Sequence, residues 1–223
     1  ILANSDFKKF IKSRKKNKKV LDKRLFILDF KGNIKASEIV SLRREISGVL
    51  LSFKKGDEVL LRLENSGGTV HEHGLAASQL KRIKDKKIPL TICVDKVAAS
   101  GGYMMACVAN KIISSPFAIV GSIGVLAQVP NFNKLLKSKG IDFEQHTAGN
   151  YKRTVTMFGE NTDKEKEKLS EKIEEIHVLC KDCIDNKRKK NDIEKVVTGE
   201  KGYDKRVLEL KLVDQIMNSE ECI

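Results

Sequence analysis

Three times before Pro116 this chain repeats one pattern: a short apolar run, a turn built from small residues, then a stretch with helical spacing. The first run is Leu25 to Phe30, ended by Gly32-Asn33. Ser37 is placed to cap the helix that follows, which runs to about Phe53 with Ile39, Leu42, Ile46, Val49 and Leu50 on one face. Val59 to Leu63 reads as a second strand, broken by Asn65-Ser66-Gly67-Gly68. From about Val70 the spacing turns helical again, through Leu75, Ala76, Gln79, Leu80 and Ile83, and stops before Pro89. Leu90 to Val94 is a third strand, and the turn Ala98-Ala99-Ser100-Gly101-Gly102 leads into a short helix through Met104 and Cys107. Strands alternating with helices at this spacing argue for an α/β fold of βαβ units around a mainly parallel sheet.

After a fourth strand, Lys111 to Ser114, the pattern loosens. An apolar, Gly-bounded stretch (Ile119 to Gln128) precedes a helix expected near Asn131 to Ser138 and a strand expected near Asp142 to His146. Thr162-Asp163-Lys164-Glu165 then has capping-box spacing for a long charged helix, with Leu169, Ile173, Ile176, Leu179 and Ile184 as its apolar stripe. A short helix from Asp204 and the apolar pair Leu212-Val213 close the chain. The 223 residues therefore read as one α/β domain, 25–223, with a helical C-terminal extension, preceded by a basic linker, 1–24.

Composition narrows the function classes. The net charge is +13, much of it between Lys8 and Lys19. Such a block suits anionic lipid or nucleic acid, but with no Trp, three Tyr and no base-reading motif, nucleic acid is not an expected partner. No run approaches the roughly 18 apolar residues of a membrane span, so any anchor is expected outside these residues, with the basic run as the linker beside it. The five cysteines lack a framework spacing, and Cys93 and Cys107 sit in apolar runs; free thiols are expected.

The candidate chemistry centres on Ser100. It falls where a strand gives way to a helix, so helix-terminal amides point at whatever binds there, and small residues on both sides let a substrate backbone come close. A Ser that only caps the helix would look the same. Gly67-Gly68 also follows a strand and precedes a helix, and in parallel sheets such turns gather beyond the strand carboxyl ends. Its amides are therefore candidates for an oxyanion hole beside Ser100. The four histidines (His71, His73, His146, His177) offer no Ser-His-Asp context, and there is no G-x-S-x-G elbow. A neutral lysine amine can replace histidine as the base. His71-Glu72-His73 is read as exposed residues at a helix start, and His177-x-x-Cys180-x-x-Cys183 as side chains partly lining an apolar face. Neither has the further ligands of a metal site.

Four motifs occur in order: Asn65-Ser66-Gly67-Gly68, Ala98-Ala99-Ser100-Gly101-Gly102-Tyr103, Val120-Gly121-Ser122-Ile123-Gly124-Val125 and Gly149-Asn150-Tyr151-Lys152. Together they resemble the signal peptide peptidase A family of Ser/Lys proteases. The phrases at His73 to Leu80, Pro130 to Asn133 and His146 to Gly149 are similar to one branch of it, bacterial inner-membrane peptidases. The likeness runs from about Phe26 to Asp214. It implies a crotonase/ClpP-like superhelix, with Ser100 as nucleophile, Lys152 as general base and Ser122 orienting the lysine. It also implies an oxyanion hole from the Gly67 amide, with Gly101 as its partner. Many relatives have Pro where this chain has Ser66, which loosens the turn but keeps its amides.

No metal or cofactor is called for. Implied substrates are membrane-associated peptides or proteins, bound as extended strands at the bacterial inner membrane on a side the sequence leaves open. A homo-oligomer is implied, with an inactive monomer and serine and lysine able to come from neighbouring subunits. A crotonase-type acyl-CoA enzyme and an inactive membrane scaffold remain as alternatives on the same fold.

Overall fold

The first apolar run forms β1 (Leu25–Gly32), and Val59 to Leu63 is the heart of β2 (Glu58–Asn65). They pair in parallel along their whole length, from Leu25 beside Glu58 to Gly32 beside Asn65. The other edge of β2 is shared. Val59 to Arg62 pair with β3 (Leu90–Val94), whereas Asn65 pairs with Ala98 of β4 (Val97–Ala99). From that fork one arm continues through β5 (Lys111–Ser114) to β8 (Gln215–Ile216), and the other through β6 (Ile119–Gly121) to β7 (Lys201–Gly202). Every pairing is parallel except β6 with β7. This computed structural model describes residues 23–149, 151–188, 201–202 and 204–223; the basic run Lys8 to Lys19, and with it the linker expected there, lies outside them.

Parallel strands require crossovers, and three helices supply the early ones: α1 (Ile39–Ser52), α2 (Val70–Asp85) and α3 (Gly101–Ala106). Ile39, Leu42, Ile46 and Val49 are the buried face of α1, as their spacing predicts. They join Phe30, Leu61, Leu63, Leu80, Ile92 and Met105 in one apolar core. The start of α1 differs from expectation. Glu38 occupies the cap position with no side-chain cap bond, and Asn33 Oδ1 instead takes the Lys35 and Ser37 amides in the preceding turn. The core face of α2 is also displaced by a few positions: His73, Ala76, Ala77, Leu80 and Ile83 are buried, while Leu75 is exposed.

Past Pro116 the expectations fare less well. Only Ile119–Gly121 of the apolar stretch is strand. The strand expected at Asp142 to His146 is absent; these residues are exposed and irregular. Together with α4 (Asn133–Ser138) they form an arm held by its own contacts. Phe158 lies 6.1 Å from Phe132 and 5.7 Å from Phe143 between ring centroids, and Asn131 Nδ2 donates to the Thr156 and Gly159 carbonyls. Phe143 of the expected strand serves this small cluster instead.

The capping box at Thr162 forms as its spacing predicts and opens α5 (Asp163–Lys187). Of its apolar stripe, Ile184 is buried and Leu179 is exposed. The chain end, with α6 (Asp204–Glu209) and α7 (Ser219–Cys222), is pinned by hydrogen bonds from the body of the domain. Tyr103 donates its hydroxyl to the Leu212 carbonyl, Ser219 Oγ donates to Asp95, and the Ile112 amide donates to Asp214.

One buried carboxylate secures the entry to β2. Asp57 accepts from the backbone amides of Arg24 (2.9 Å) and Lys54 (2.6 Å) and pairs with the Arg24 guanidinium at 2.6 Å. The Arg24 side chain is the main reason its carboxyl is held well below the usual carboxylate range. A carboxylate depressed in the folded state stabilises above its unfolded pKa of about 3.9 and loses that contribution as pH falls below it. We therefore expect Asp57→Asn to lower Tm at pH 7, with the gap to wild type shrinking as thermal melts are taken progressively below about pH 4.

Candidate active site

The register of the forked sheet brings three strand ends together. Asn65 of β2 lies beside Ala98 of β4, and Ala99 lies beside Gly121 of β6. The residues that follow each strand, Ser66-Gly67-Gly68, Ser100-Gly101 and Ser122, consequently line one cavity of about 1000 Å³. Its walls are mostly apolar, with Val70 and Met104 on one side and Val125, Ile173 and Ile184 on the other. Helix α5 thus covers the cavity with part of its apolar stripe.

Ser100 is held in an unusual backbone state, φ +50° and ψ −119°. Side-chain-bearing residues rarely adopt it, and such strain costs of order 1–3 kcal/mol. The surrounding structure fixes it in place: the Ser100 amide donates to Gly121 O (2.8 Å), and its carbonyl accepts the Met104 amide (3.0 Å). The half-buried hydroxyl stands at the head of α3, where the first-turn amides have no intrahelical acceptor. Ser122 is also strained, at φ +52°. Two strained serines side by side in one cavity make this the candidate functional site.

Two glycines are required by contact. At Gly67 (φ +90°) a Cβ would sit 2.7 Å from Ser100 Cβ and 3.1 Å from the Gly101 nitrogen, so this turn touches the serine directly. At Gly101 a Cβ would sit 2.5 Å from the His73 ring. The Gly67 N–H, expected from the motif to serve the oxyanion hole, donates to Asn65 Oδ1 at 2.6 Å. The Gly101 amide, next to the Gly67 turn, and the Gly68 amide are the remaining candidate donors.

Lys152 is placed differently. It is exposed, in a turn where its amide donates to Gly149 O, and it is not among the residues lining the cavity. Its neighbours Tyr151, Met157 and Phe158 are exposed as well, and Val155 is half-buried. One chain therefore gathers Ser100, Gly67, Gly101 and Ser122 and leaves Lys152 on the arm. Asn150 of the same motif lies outside the described residues.

Sequence reasoning missed two polar residues beneath the site. Asn65 and His73 are buried, and His73 Nε2 lies 3.0 Å from Asn65 Oδ1. The reading of His73 as an exposed helix-start residue is overturned. The signal was present: His73, Ala76, Ala77, Leu80 and Ile83 have the spacing of a single helical face. Among the described residues no group of three or more His, Cys, Asp and Glu could hold a metal, and none of the five cysteines forms a disulfide.

Comparison with known proteins agrees with this architecture. Residues 82–223 match the model of peptidase family S49, and residues 2–80 match the family's N-terminal model. The chain belongs to peptidase family S49, a family of proteases with the ClpP/crotonase-like fold. It is 54% identical to the "Probable protease SohB" of Buchnera aphidicola subsp. Schlechtendalia chinensis, over 94% of this chain and 70% of that protein. To the proteins of the same name from B. aphidicola subsp. Acyrthosiphon pisum and Haemophilus influenzae it is 58% and 54% identical, over 90% and 89% of this chain. It spans 60% and 56% of their lengths. The family and fold expected from the four motifs are thus borne out.

Alanine normally stabilises a helical position over glycine, by up to about 1 kcal/mol. At Gly101 the His73 contact reverses the sign. Gly101→Ala is expected to lower Tm in a thermal melt, and an unchanged or raised Tm would show that the contact is absent.

Proposed function

We propose that this chain is the catalytic part of a serine endopeptidase that works with a Ser/Lys dyad, Ser100 and Lys152. The observation that carries the reading is the strained Ser100 elbow, set against the Gly67-Gly68 turn and the first amides of α3. A serine that merely capped α3 would have an ordinary extended cap conformation and would bond an amide of the first turn. Ser100 does neither.

The chemistry follows from the parts. Lys152 Nζ, deprotonated, removes the Ser100 Oγ proton as Oγ bonds to the peptide carbonyl carbon. The carbonyl electron pair moves onto oxygen, where the N–H groups of Gly101 and of the Gly67-Gly68 turn receive it. Because the Gly67 N–H is turned to Asn65, Gly68 is the donor of that turn and Gly67 provides its shape. The tetrahedral species then expels the amine, which takes the proton from Lys152. Water next attacks the acyl-enzyme, gives a proton to Lys152 and releases the carboxylate, and Ser100 recovers its proton. Ser122, in the same cavity, is the group that orients the lysine.

The exposed position of Lys152 favours a homo-oligomer. The arm that carries it leaves Leu126, Leu135, Ile141 and Tyr151 in solvent, an apolar surface suited to packing on a second copy. Docking of that arm would bring the amine to a neighbour's Ser100 and strip water from it. The apolar cavity suits small or apolar substrate side chains, and an extended peptide can lie along the exposed strand ends. We assign the substrates to membrane-associated peptides or proteins at the bacterial inner membrane, reached through an anchor outside this chain. No helix among the described residues is long and apolar enough to cross a membrane. The acyl-CoA alternative is disfavoured because Glu174 is the one carboxylate among the cavity-lining residues, where such enzymes usually deploy acid–base carboxylates.

Peptide hydrolysis by wild type, Ser100→Ala and Lys152→Ala, followed across pH, tests the dyad. Each substitution is expected to lower kcat by at least about 10³-fold. Activity close to wild type in either variant would overturn it. A verified dilute monomer is expected to be inactive in the same assay.

A further inference from the structure

His73 is a buried imidazole that the proposed reaction does not use, yet both halves of the oxyanion hole rest on it. The residue is 0% exposed, on the core face of α2. Its Nδ1 lies 2.9 Å from the Thr69 carbonyl oxygen and its Nε2 lies 3.0 Å from Asn65 Oδ1. That same Oδ1 accepts the Gly67 N–H at 2.6 Å. The opposite side of His73 carries the serine elbow, because a Cβ at Gly101 would lie 2.5, 2.7 and 2.8 Å from its Cγ, Cδ2 and Cβ. One side chain is therefore linked to Gly67 through Asn65 and to Gly101 by direct contact.

The hydrogen-bond chemistry gives this arrangement a direction. The Gly67 N–H can meet only an acceptor, so it fixes the Asn65 amide with Oδ1 toward the turn. That oxygen then requires a donor from His73 Nε2, just as the Thr69 carbonyl oxygen requires one from Nδ1, so both ring nitrogens face acceptors. Among the described residues Asn65 Nδ2 is buried without a partner. The opposite orientation of the amide would place Nδ2 against the Gly67 N–H, donor against donor, and would release the turn. A buried donor left unmade costs about 1–3 kcal/mol, so Asn65 needs both of its Oδ1 bonds to hold an orientation that leaves Nδ2 unpaired. A Phe at position 73 would fill the site and leave Oδ1 without its second donor.

Resting on the proposed role of Ser100, we propose that His73 is a positioning residue of the oxyanion hole. Through Nε2–H it locks Asn65, and Asn65 sets the Gly67-Gly68 turn against Ser100. It touches no reacting atom, so its effect is on the transition state and not on substrate binding.

The test uses the assembled protein with a peptide substrate and a peptide boronate, which forms a tetrahedral adduct with an active serine. His73→Phe is expected to lower kcat and boronate affinity by the same factor, about 10- to 100-fold, with KM within about twofold. His73→Gln restores a side-chain N–H and is expected to recover most of both. Asn65→Ala breaks the same link from its other end and should give the same split, so a His73→Phe protein that fails to fold leaves the test intact. The proposal is overturned if His73→Phe keeps kcat within about threefold. It is overturned equally if His73→Gln is as impaired as His73→Phe, or if kcat and KM shift together. Ser100→Ala in the same assay separates the two ideas. If Ser100→Ala stays active the dyad reading fails, whereas if it is inactive and the His73 variants are unaffected only the positioning role fails.

Discussion

Strand β2 pairs on one edge with the whole of β1 and divides its other edge between β3 and β4. The division falls at Asn65, the last residue of the strand, which lies between Gly32 of β1 and Ala98 of β4. This register places the turn after β2 against the turn after β4, and β6 follows in step. Side chains in a parallel sheet have a period of two, so a slip of one residue along β4 would send Ser100 to the opposite face. Asn65 is thus both the backbone hinge of the sheet and, through Oδ1, the anchor of the Gly67 turn. The site depends on this one strand end more than on any catalytic side chain.

The cavity is closed more loosely than the sheet beneath it. The early crossovers bury their faces completely, but α5 reaches the core chiefly at Ile184 and spreads Ile173 and Cys180 along the cavity wall. Such a helix offers an apolar, adaptable wall for substrate side chains, while the rigid side of the site is the one that holds the serine. This division suits a protease. The proposed nucleophile is held by strand ends and by strained backbone at Ser100 and Ser122, and the more exposed helix α5 would accommodate varied substrates.

Legibility from sequence tracks how local the determinant is. The β1, β2 and β3 runs, the α1 face and the Thr162 capping box were readable because each is set by neighbours in the chain. The two-residue strands β7 and β8 and the three-residue β4 carry no pattern of their own and exist only as partners of longer strands. Asp142 to His146 has no strand partner among the described residues, and the segment packs Phe143 on Phe158 instead. Ser100 was visible as a serine in a small-residue turn, but its strain was not, since φ +50° is imposed by the Gly121 and Met104 bonds. The burial of His73 was legible in its spacing with Ala76, Ala77, Leu80 and Ile83, but its bond to Asn65 was not, because Asn65 lies on another element. The role of Lys152 came from family likeness alone, and a single folded chain leaves it in solvent.

A chain that gathers the proposed nucleophile and hole but holds the proposed base, Lys152, on an exposed arm is what the proposed sites between copies would require. Mixing measures this directly: Ser100→Ala and Lys152→Ala proteins, each inactive alone, are dissociated, combined in equal amounts and reassembled, and peptide hydrolysis is followed. If the lysine comes from a neighbour, about a quarter of the sites regain an intact pair and a corresponding share of wild-type activity returns. If the mixture stays as inactive as its components while reassembled wild type recovers, serine and lysine belong to one chain and the intersubunit site is contradicted.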